Sequence, residues 1–180
     1  KKSSVSAIIL APTRELAMQV SEEIERIAKF TGFKHLAVYG GSSIDTQIRT
    51  LRRGVDIVVG TPGRVIDLME RKVLKLQDVD FLVLDEADEM LNMGFVEDIE
   101  KIMAGTSEDK QTMLFSATMP DEYKRLSKKY MSEDRVHIKI AVNSMTVSTV
   151  SQYYYEVREQ YRLETLCRIM DTEDMESVLV

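Results

Sequence analysis

Three carboxylates fall within four residues at Asp85-Glu86-Ala87-Asp88, directly after the apolar run Phe81-Leu82-Val83-Leu84. Carboxylates this close repel one another and need a cation, hydrogen-bond donors or open solvent to stay ionised together. The adjacent pair Asp85 and Glu86 is suited to hold Mg²⁺ and to polarise a water molecule. A hydroxyl-rich stretch, Ser116-Ala117-Thr118, follows another short apolar run and is suited to sense the occupancy of such a site. A second kind of chemistry is written in Pro12-Thr13-Arg14-Glu15-Leu16, Gly40-Gly41 and Thr61-Pro62-Gly63-Arg64. Each joins Gly, Thr or Pro to the start of a helical pattern, which leaves backbone N–H donors free for an anion, and two of them add an arginine. Together they describe a phosphate-binding surface beside a metal and water site.

The elements that must position these residues are legible from periodicity. Ala7 to Leu10, Leu36 to Tyr39, Val55 to Val59, Phe81 to Leu84 and Thr112 to Phe115 are short apolar strands. Between them lie helical patterns: Leu16, Val20, Ile24 and Ile27 on one face, ended by Gly32; then Ile44, Ile48 and Leu51; then a helix from Pro62 to about Arg71, with Thr61 and Pro62 as N-cap and first residue. A segment broken at Asn92-Met93-Gly94 precedes a helix with Val96, Ile99, Ile102 and Met103 inward, and Pro120 opens a further helix to about Met131. Strands regularly alternating with helices predict a parallel α/β sheet with right-handed crossovers. The unbroken apolar character of Phe81 to Leu84 predicts a strand buried on both faces. In such sheets ligands gather at the carboxyl ends of the strands, so all five stretches belong to one rim.

Val136 to Ile140 alternates as an edge strand does, and the small polar run across residues 141–151 reads as a linker. Tyr153 to Val157 is strand-like, Leu163 to Met170 helical, and Val178 onward strand-like again. The organisation expected is therefore a first domain over 1–143, a linker over 144–151 and the beginning of a second domain over 152–180. Lys1 is not an initiator methionine and the chain stops at an apparent strand start, so a fragment of a longer protein is expected.

Bulk composition narrows the setting. A hydrophobic content of 44% suits a sizeable core, and no apolar run approaches the roughly 20 residues that span a bilayer. No apolar stretch of signal-peptide type opens the chain. Cys167 is the single cysteine and lies in a helical apolar pattern, which predicts a packed core thiol and a reducing, cytoplasmic setting. The net charge of -6 weighs against nucleic acid, yet a groove can hold phosphates with backbone N–H groups and a few arginines.

PTREL, GG, TPGR, DEAD and SAT occur in that order, and in order and spacing the chain resembles a DEAD-box RNA helicase of superfamily 2. The resemblance covers nearly the whole chain and implies a RecA-like parallel sheet with helices on both faces, incomplete here, followed by the start of a second RecA-like domain. It implies ATP and Mg²⁺ as cofactors and RNA as partner, with ribosome-assembly or RNA-decay proteins as possible associates and no membrane. By the same resemblance Asp85 holds Mg²⁺ largely through water and Glu86 orients or deprotonates the attacking water. Asp88 links that loop to Ser116 and Thr118, coupling nucleotide state to RNA handling. Thr13, Arg14, Gly41, Thr61, Gly63 and Arg64 match positions that contact the RNA sugar-phosphate backbone irrespective of sequence. The implied activity is ATP-driven local unwinding of RNA duplexes.

One departure is large. No G-x-x-x-x-G-K-[ST] occurs among the eight glycines, so the phosphate-cradling loop and its lysine are absent from these 180 residues, as is the adenine-reading glutamine segment. These residues alone are expected to be inactive as an ATPase. Two alternatives stay open on sequence: a non-hydrolysing truncated RNA-binding or regulatory domain, and a superfamily 2 motor acting on DNA. Plainer readings also stand beside the sharp ones. Gly40-Gly41 is also what a simple turn requires, and Ser116-Ala117-Thr118 also suits a helix cap. Arg14 and Arg64 oppose the dipole of the helices they begin, which argues for another role. His35 and His137 have no metal-ligand partners, the 11 methionines read as gap-filling core, and the dispersed basic groups read as solvated helix faces.

Overall fold

The computed structural model describes residues 4–119, 121–140, 150–151 and 153–179. It divides into two compact units, Lys1–Val136 and His137–Val180. In the first, five strands β1 (Ala7–Leu10), β2 (His35–Val38), β3 (Ile57–Gly60), β4 (Phe81–Leu84) and β5 (Gln111–Leu114) form one sheet in the order β2-β3-β1-β4-β5. Every pairing is parallel. The helices between them are α1 (Arg14–Ala28), α2 (Ile44–Arg52), α3 (Pro62–Glu70), α4 (Ala87–Asn92), α5 (Val96–Ala104) and α6 (Asp121–Tyr130). The strand and helix alternation expected from periodicity is thus present, with an additional short helix, α4, where the pattern showed only a broken segment.

The register is unshifted across the whole sheet. Leu10 pairs with Gly60 and with Leu84, Val38 pairs with Gly60, and Leu84 pairs with Leu114. All five strands therefore end abreast, and all five loops leave from one level.

The main core lies on one face of the sheet. Ile8, Leu10, Val38, Val58, Leu82 and Leu84 are fully buried against Val65 and Leu68 of α3, Met90 of α4, Ile99, Ile102 and Met103 of α5, and Tyr123 of α6. These helix positions recur at three and four residues, so each helix turns one apolar stripe to the sheet. On the opposite face α1 packs over β2 and β3, with Ala17 buried and Leu16, Val20 and Ile24 against Ile9 and Val59. The main contacts of α1 with the sheet are to β2 and β3. Phe81 is 44% exposed and Val83 only half-buried, so β4 is not buried on both faces as its apolar run predicted. A four-residue apolar run reports affinity for a core, not how many helices cover it.

Three further expectations differ from the structure. Val136, Ile138 and Ile140 belong to no strand and are strongly exposed, because side-chain alternation does not supply a neighbouring strand to pair with. Tyr153 to Val157 is likewise unpaired and exposed, and residues 178 and 179 form no strand. In the second unit a single 3-10 turn, Glu159–Tyr161, leads into α7 (Arg162–Thr172). Cys167 lies on the exposed side of α7 while Leu166 and Ile169 are half-buried, so it is not a packed core thiol. The linker expected over 144–151 lies almost wholly outside the described residues, as does Pro120. Among the described residues no helix is long and apolar enough to cross a membrane.

Gly60 is where the core tolerates no side chain. A Cβ there would lie 2.6 Å from Val38 Cγ2, 2.7 Å from Val65 Cγ2 and 2.9 Å from the Val38 carbonyl oxygen. At Gly63 a Cβ would meet nothing within 4 Å. Gly60→Ala is expected to lower the free energy of unfolding by about 2 kcal/mol, and Gly63→Ala to change it by less than about 1 kcal/mol. Urea unfolding followed by circular dichroism measures both, and equal effects would refute the account of the β3 terminus.

Candidate functional site

Each rim loop is fastened to its neighbour by a continuation of the sheet's ladder. Ala11 N–H donates to the Gly60 carbonyl at 3.0 Å, Thr61 N–H to Val38 at 3.1 Å, Asp85 N–H to Leu10 at 2.9 Å, and Phe115 N–H to Leu84 at 2.8 Å. Sheet order then sets the order along the rim: the Gly40-Gly41 loop, the Thr61 turn, the Thr13 turn, the Asp85 loop and the Ser116 loop.

At the acidic end, Glu86 turns the chain from β4 into α4 with φ 47° and ψ 52°, a left-handed conformation that is uncommon for a residue with a side chain. Local bonds hold it. Asp85 Oδ1 accepts from Glu86 N–H at 3.1 Å, the Glu86 carbonyl accepts from Glu89 and Met90 N–H at 3.1 Å, and Ala87 N–H donates to the Phe115 carbonyl at 3.0 Å. The Glu86 carboxylate is left exposed, with the partly exposed Asp85 beside it. Both line an open depression of about 460 Å³, together with Asp88, Glu89, Asn92, Phe115, Ser116 and Ala117. Among the described residues no three metal-ligating side chains converge. The pair Asp85 and Glu86 is compatible with Mg²⁺, which keeps several waters and takes only one or two carboxylates from a protein.

Asp88, Ser116 and Thr118 form one network. Asp88 N–H donates to Ser116 Oγ at 3.1 Å, and Asp88 Oδ2 accepts from both the N–H and the hydroxyl of Thr118 at 2.9 Å. Ser116 Oγ donates to the Thr118 carbonyl at 2.5 Å. Partial burial pushes the Asp88 carboxyl up, but the bonds from Thr118 and Ser116 and from its own amide outweigh it and hold it below the usual carboxylate range. Tyr123, nearly fully buried on α6, was not singled out in the sequence. Burial and the Asp88 charge raise its phenol to about 12, so it stays neutral.

At the other end, Thr13 caps α1, its hydroxyl accepting from Leu16 N–H at 3.2 Å. Arg14 is half-exposed, paired with Glu15 at 3.2 Å, and its Nη1 lies 3.7 Å from where a Cβ on Gly41 would stand. Gly41 has φ 77°, open to glycine and adverse for other residues. Thr61 occupies the N-cap of α3 without making a side-chain cap bond, and Gly63 faces open space. Arg64 differs from the other basic residue: its side chain is 14% exposed, and it donates to Gln47 Oε1 at 3.0 Å and to the Ser42 carbonyl at 3.4 and 3.5 Å. The predicted residues thus gather into two clusters, 85, 86, 88, 116 and 118 over β4 and β5, and 13, 14, 41, 61, 63 and 64 over β1, β3 and β2. Gln47 and Ser42 were missed. The signal for Gln47 was a polar residue within the apolar stripe of Ile44, Ile48 and Leu51.

A parallel sheet whose rim carries phosphate-ready helix starts over one half and a carboxylate pair over the other defines an α/β domain with its candidate site at the carboxyl ends of the strands. The DEAD/DEAH box helicase profile matches residues 1–126, and the chain belongs to that family. It is 51% identical over 180 residues to the DEAD-box ATP-dependent RNA helicase CshA of Streptococcus pneumoniae serotype 4, covering 100% of this chain and 34% of that protein. It is 46% identical over 177 residues to CshA of Bacillus subtilis, covering 98% and 36%. Among solved structures, a DEAD box protein from the hyperthermophile Methanococcus jannaschii superposes with a TM-score of 0.75 at 47% identity, over 95% of this chain and 46% of that one. The chain therefore spans about a third of the length of the curated relatives it matches.

The pH dependence of the Asp88 network follows from its direction of shift. A carboxyl held below its ordinary value of 3.8 contributes stability in full above that value and loses it as pH falls through the lower folded value. Wild type is expected to lose stability more steeply than Asp88→Asn below about pH 4. Urea midpoints measured from neutral to acid pH test this, and parallel acid limbs would count against it.

Proposed function

We propose that this chain is the RNA-gripping and water-activating part of an ATP-dependent RNA helicase that couples nucleotide hydrolysis to RNA binding and local duplex unwinding. The observation that carries the reading is the Asp88 network, which joins the carboxylate loop after β4 to the hydroxyl loop after β5 through Thr118 and Ser116. That link gives the acidic half of the rim a way to register what is bound there. Asp85 would hold Mg²⁺, largely through water, and the ion would supply charge neutralisation for the phosphates of ATP. The exposed Glu86 carboxylate orients the attacking water and accepts its proton. On the other half of the rim, Thr13, Arg14, Gly41, Thr61, Gly63 and Arg64 receive the sugar-phosphate backbone, Thr61 with a hydroxyl that makes no cap bond and Arg14 with its exposed guanidinium. Residues 152–180 are read as the beginning of a second RecA-like domain. A cytoplasmic setting agrees with the single, exposed cysteine, and ribosome-assembly or RNA-decay proteins are the associates proposed.

Fluorescence anisotropy with a ten-nucleotide single-stranded uridine RNA tests the grip. Arg14→Ala is expected to weaken binding roughly tenfold at low salt and to make the slope of log affinity against log salt shallower by about one. Unchanged affinity and slope would remove Arg14 from the interface. A second expectation concerns hydrolysis. With no G-x-x-x-x-G-K-[ST] in the sequence, these 180 residues are expected to release no phosphate from ATP with or without RNA. In a protein completed with that loop, Glu86→Gln is expected to reduce turnover by about 10²-fold or more. RNA-stimulated turnover by the 180 residues alone, or full turnover by Glu86→Gln, would overturn these roles.

A further inference from the structure

α2 carries one residue that its packing does not explain. Gln47 is 5% exposed and sits on the inward stripe of the helix, where an apolar side chain would serve burial without needing partners. Its amide is satisfied at both ends. Oε1 accepts from Arg64 Nη1 at 3.0 Å, and Nε2 donates to the Tyr39 carbonyl at 3.2 Å and to Ser42 Oγ at 2.6 Å. These bonds serve no helix cap, since the N-cap residue of α2, Ser43, makes no side-chain cap bond. They join the end of β2, the loop leading into α2 and the first turn of α3, all at the phosphate-ready half of the rim.

Arg64 is defined by the same bonds. Nη1 gives its hydrogens to Gln47 and to the Ser42 carbonyl, Nη2 also reaches that carbonyl at 3.5 Å, and Nε lies 4.0 Å from Asp67 Oδ2. Most of its fork is committed and little of its surface is exposed, so Arg64, besides its proposed contact with the backbone, ties the loop that contains Gly41 to α3. That loop has reason to need fixing: Gly41 is exposed in a left-handed conformation, and the guanidinium of Arg14 from a third loop lies beside it.

We propose that Gln47 is a positioning residue which, through Arg64 and Ser42, clamps the loop from Gly40 to Ser43 against the first turn of α3 so that both grip the same strand of nucleic-acid backbone. The proposal rests on the RNA-gripping reading of this rim. Its physical content is preorganisation: donors already held side by side lose less freedom when a phosphate arrives.

The test uses the 180-residue chain, the same ten-uridine RNA and two substitutions of similar size. Gln47→Met keeps volume and removes the bonds. Gln47→Glu keeps an acceptor for Arg64 and for the Ser42 hydroxyl, and gives up the bond donated to the Tyr39 carbonyl. Gln47→Met is expected to bind roughly tenfold more weakly with a salt slope shallower by about one, and Gln47→Glu to stay within about threefold of wild type. In an Arg64→Met background Gln47→Met is expected to cause no further loss, because both act through one clamp. Wild-type affinity in Gln47→Met, equal losses in Met and Glu variants, or independent multiplication of the two losses would overturn the proposal. So would a Gln47→Met chain that no longer folds by circular dichroism, because the bonds would then serve stability. If wild type and Arg14→Ala both fail to bind, the RNA reading falls, and the clamp is decided by NMR of the Arg64 guanidinium without RNA. Slow rotation in wild type that becomes fast in Gln47→Met upholds the clamp, and equal rotation in both overturns it.

Discussion

Leu10, Val38, Gly60, Leu84 and Leu114 stand abreast because every strand pair in the sheet is parallel and unshifted. A slip of one residue in any pair would send the buried set of that strand to the wrong face, so the core enforces the level at which the strands stop. The rim inherits that level. Five loops begin together, each tied to its neighbour by a backbone bond of ordinary length, and none needs a long excursion to bring its side chains to the others. Gly60 shows how tightly the level is held, since the side chains of Val38 and Val65 occupy the space a methyl group would need.

Sheet order then sorts two kinds of physics. Over β2, β3 and β1 the working groups are backbone N–H donors, hydroxyls and guanidinium groups, which recognise anions by geometry. Over β4 they are carboxylates, which repel anions unless a cation intervenes, and over β5 the hydroxyls of Ser116 and Thr118 are bonded to Asp88. The boundary falls between β1 and β4, the pair in which Asp85 is bonded to the carbonyl of Leu10. Chain order does not show this, because the acidic loop follows the Thr61 turn in sequence while the Thr13 turn lies between them in space.

The sequence carried most of this where local pattern and tertiary context agree. Phe81 to Leu84 is the strand expected to the residue, and Thr61 and Pro62 take the N-cap and first-turn positions their chemistry favours. Pattern failed where pairing or coverage decides the outcome. Val136 to Ile140 alternates yet has no strand beside it, Cys167 follows a helical stripe yet faces outward, and Phe81 is apolar yet half uncovered. The candidate site divides in the same way. The loops are short local motifs and could be read directly, whereas Gln47 acts through partners eight residues back and 17 residues ahead in sequence, and only their meeting in space explains a buried amide. Arg64 was legible as a residue of the rim but not as one whose fork is already engaged.

Glu86 carries a backbone conformation that glycine would adopt without penalty, while α4 begins on its far side. A sequence chosen for stability alone would favour glycine there, and would leave the fold intact while removing the carboxylate proposed above as the base for water. The position therefore separates two pressures that usually coincide in a protein: improving the scaffold and preserving what the scaffold is for pull the identity of this single residue in opposite directions.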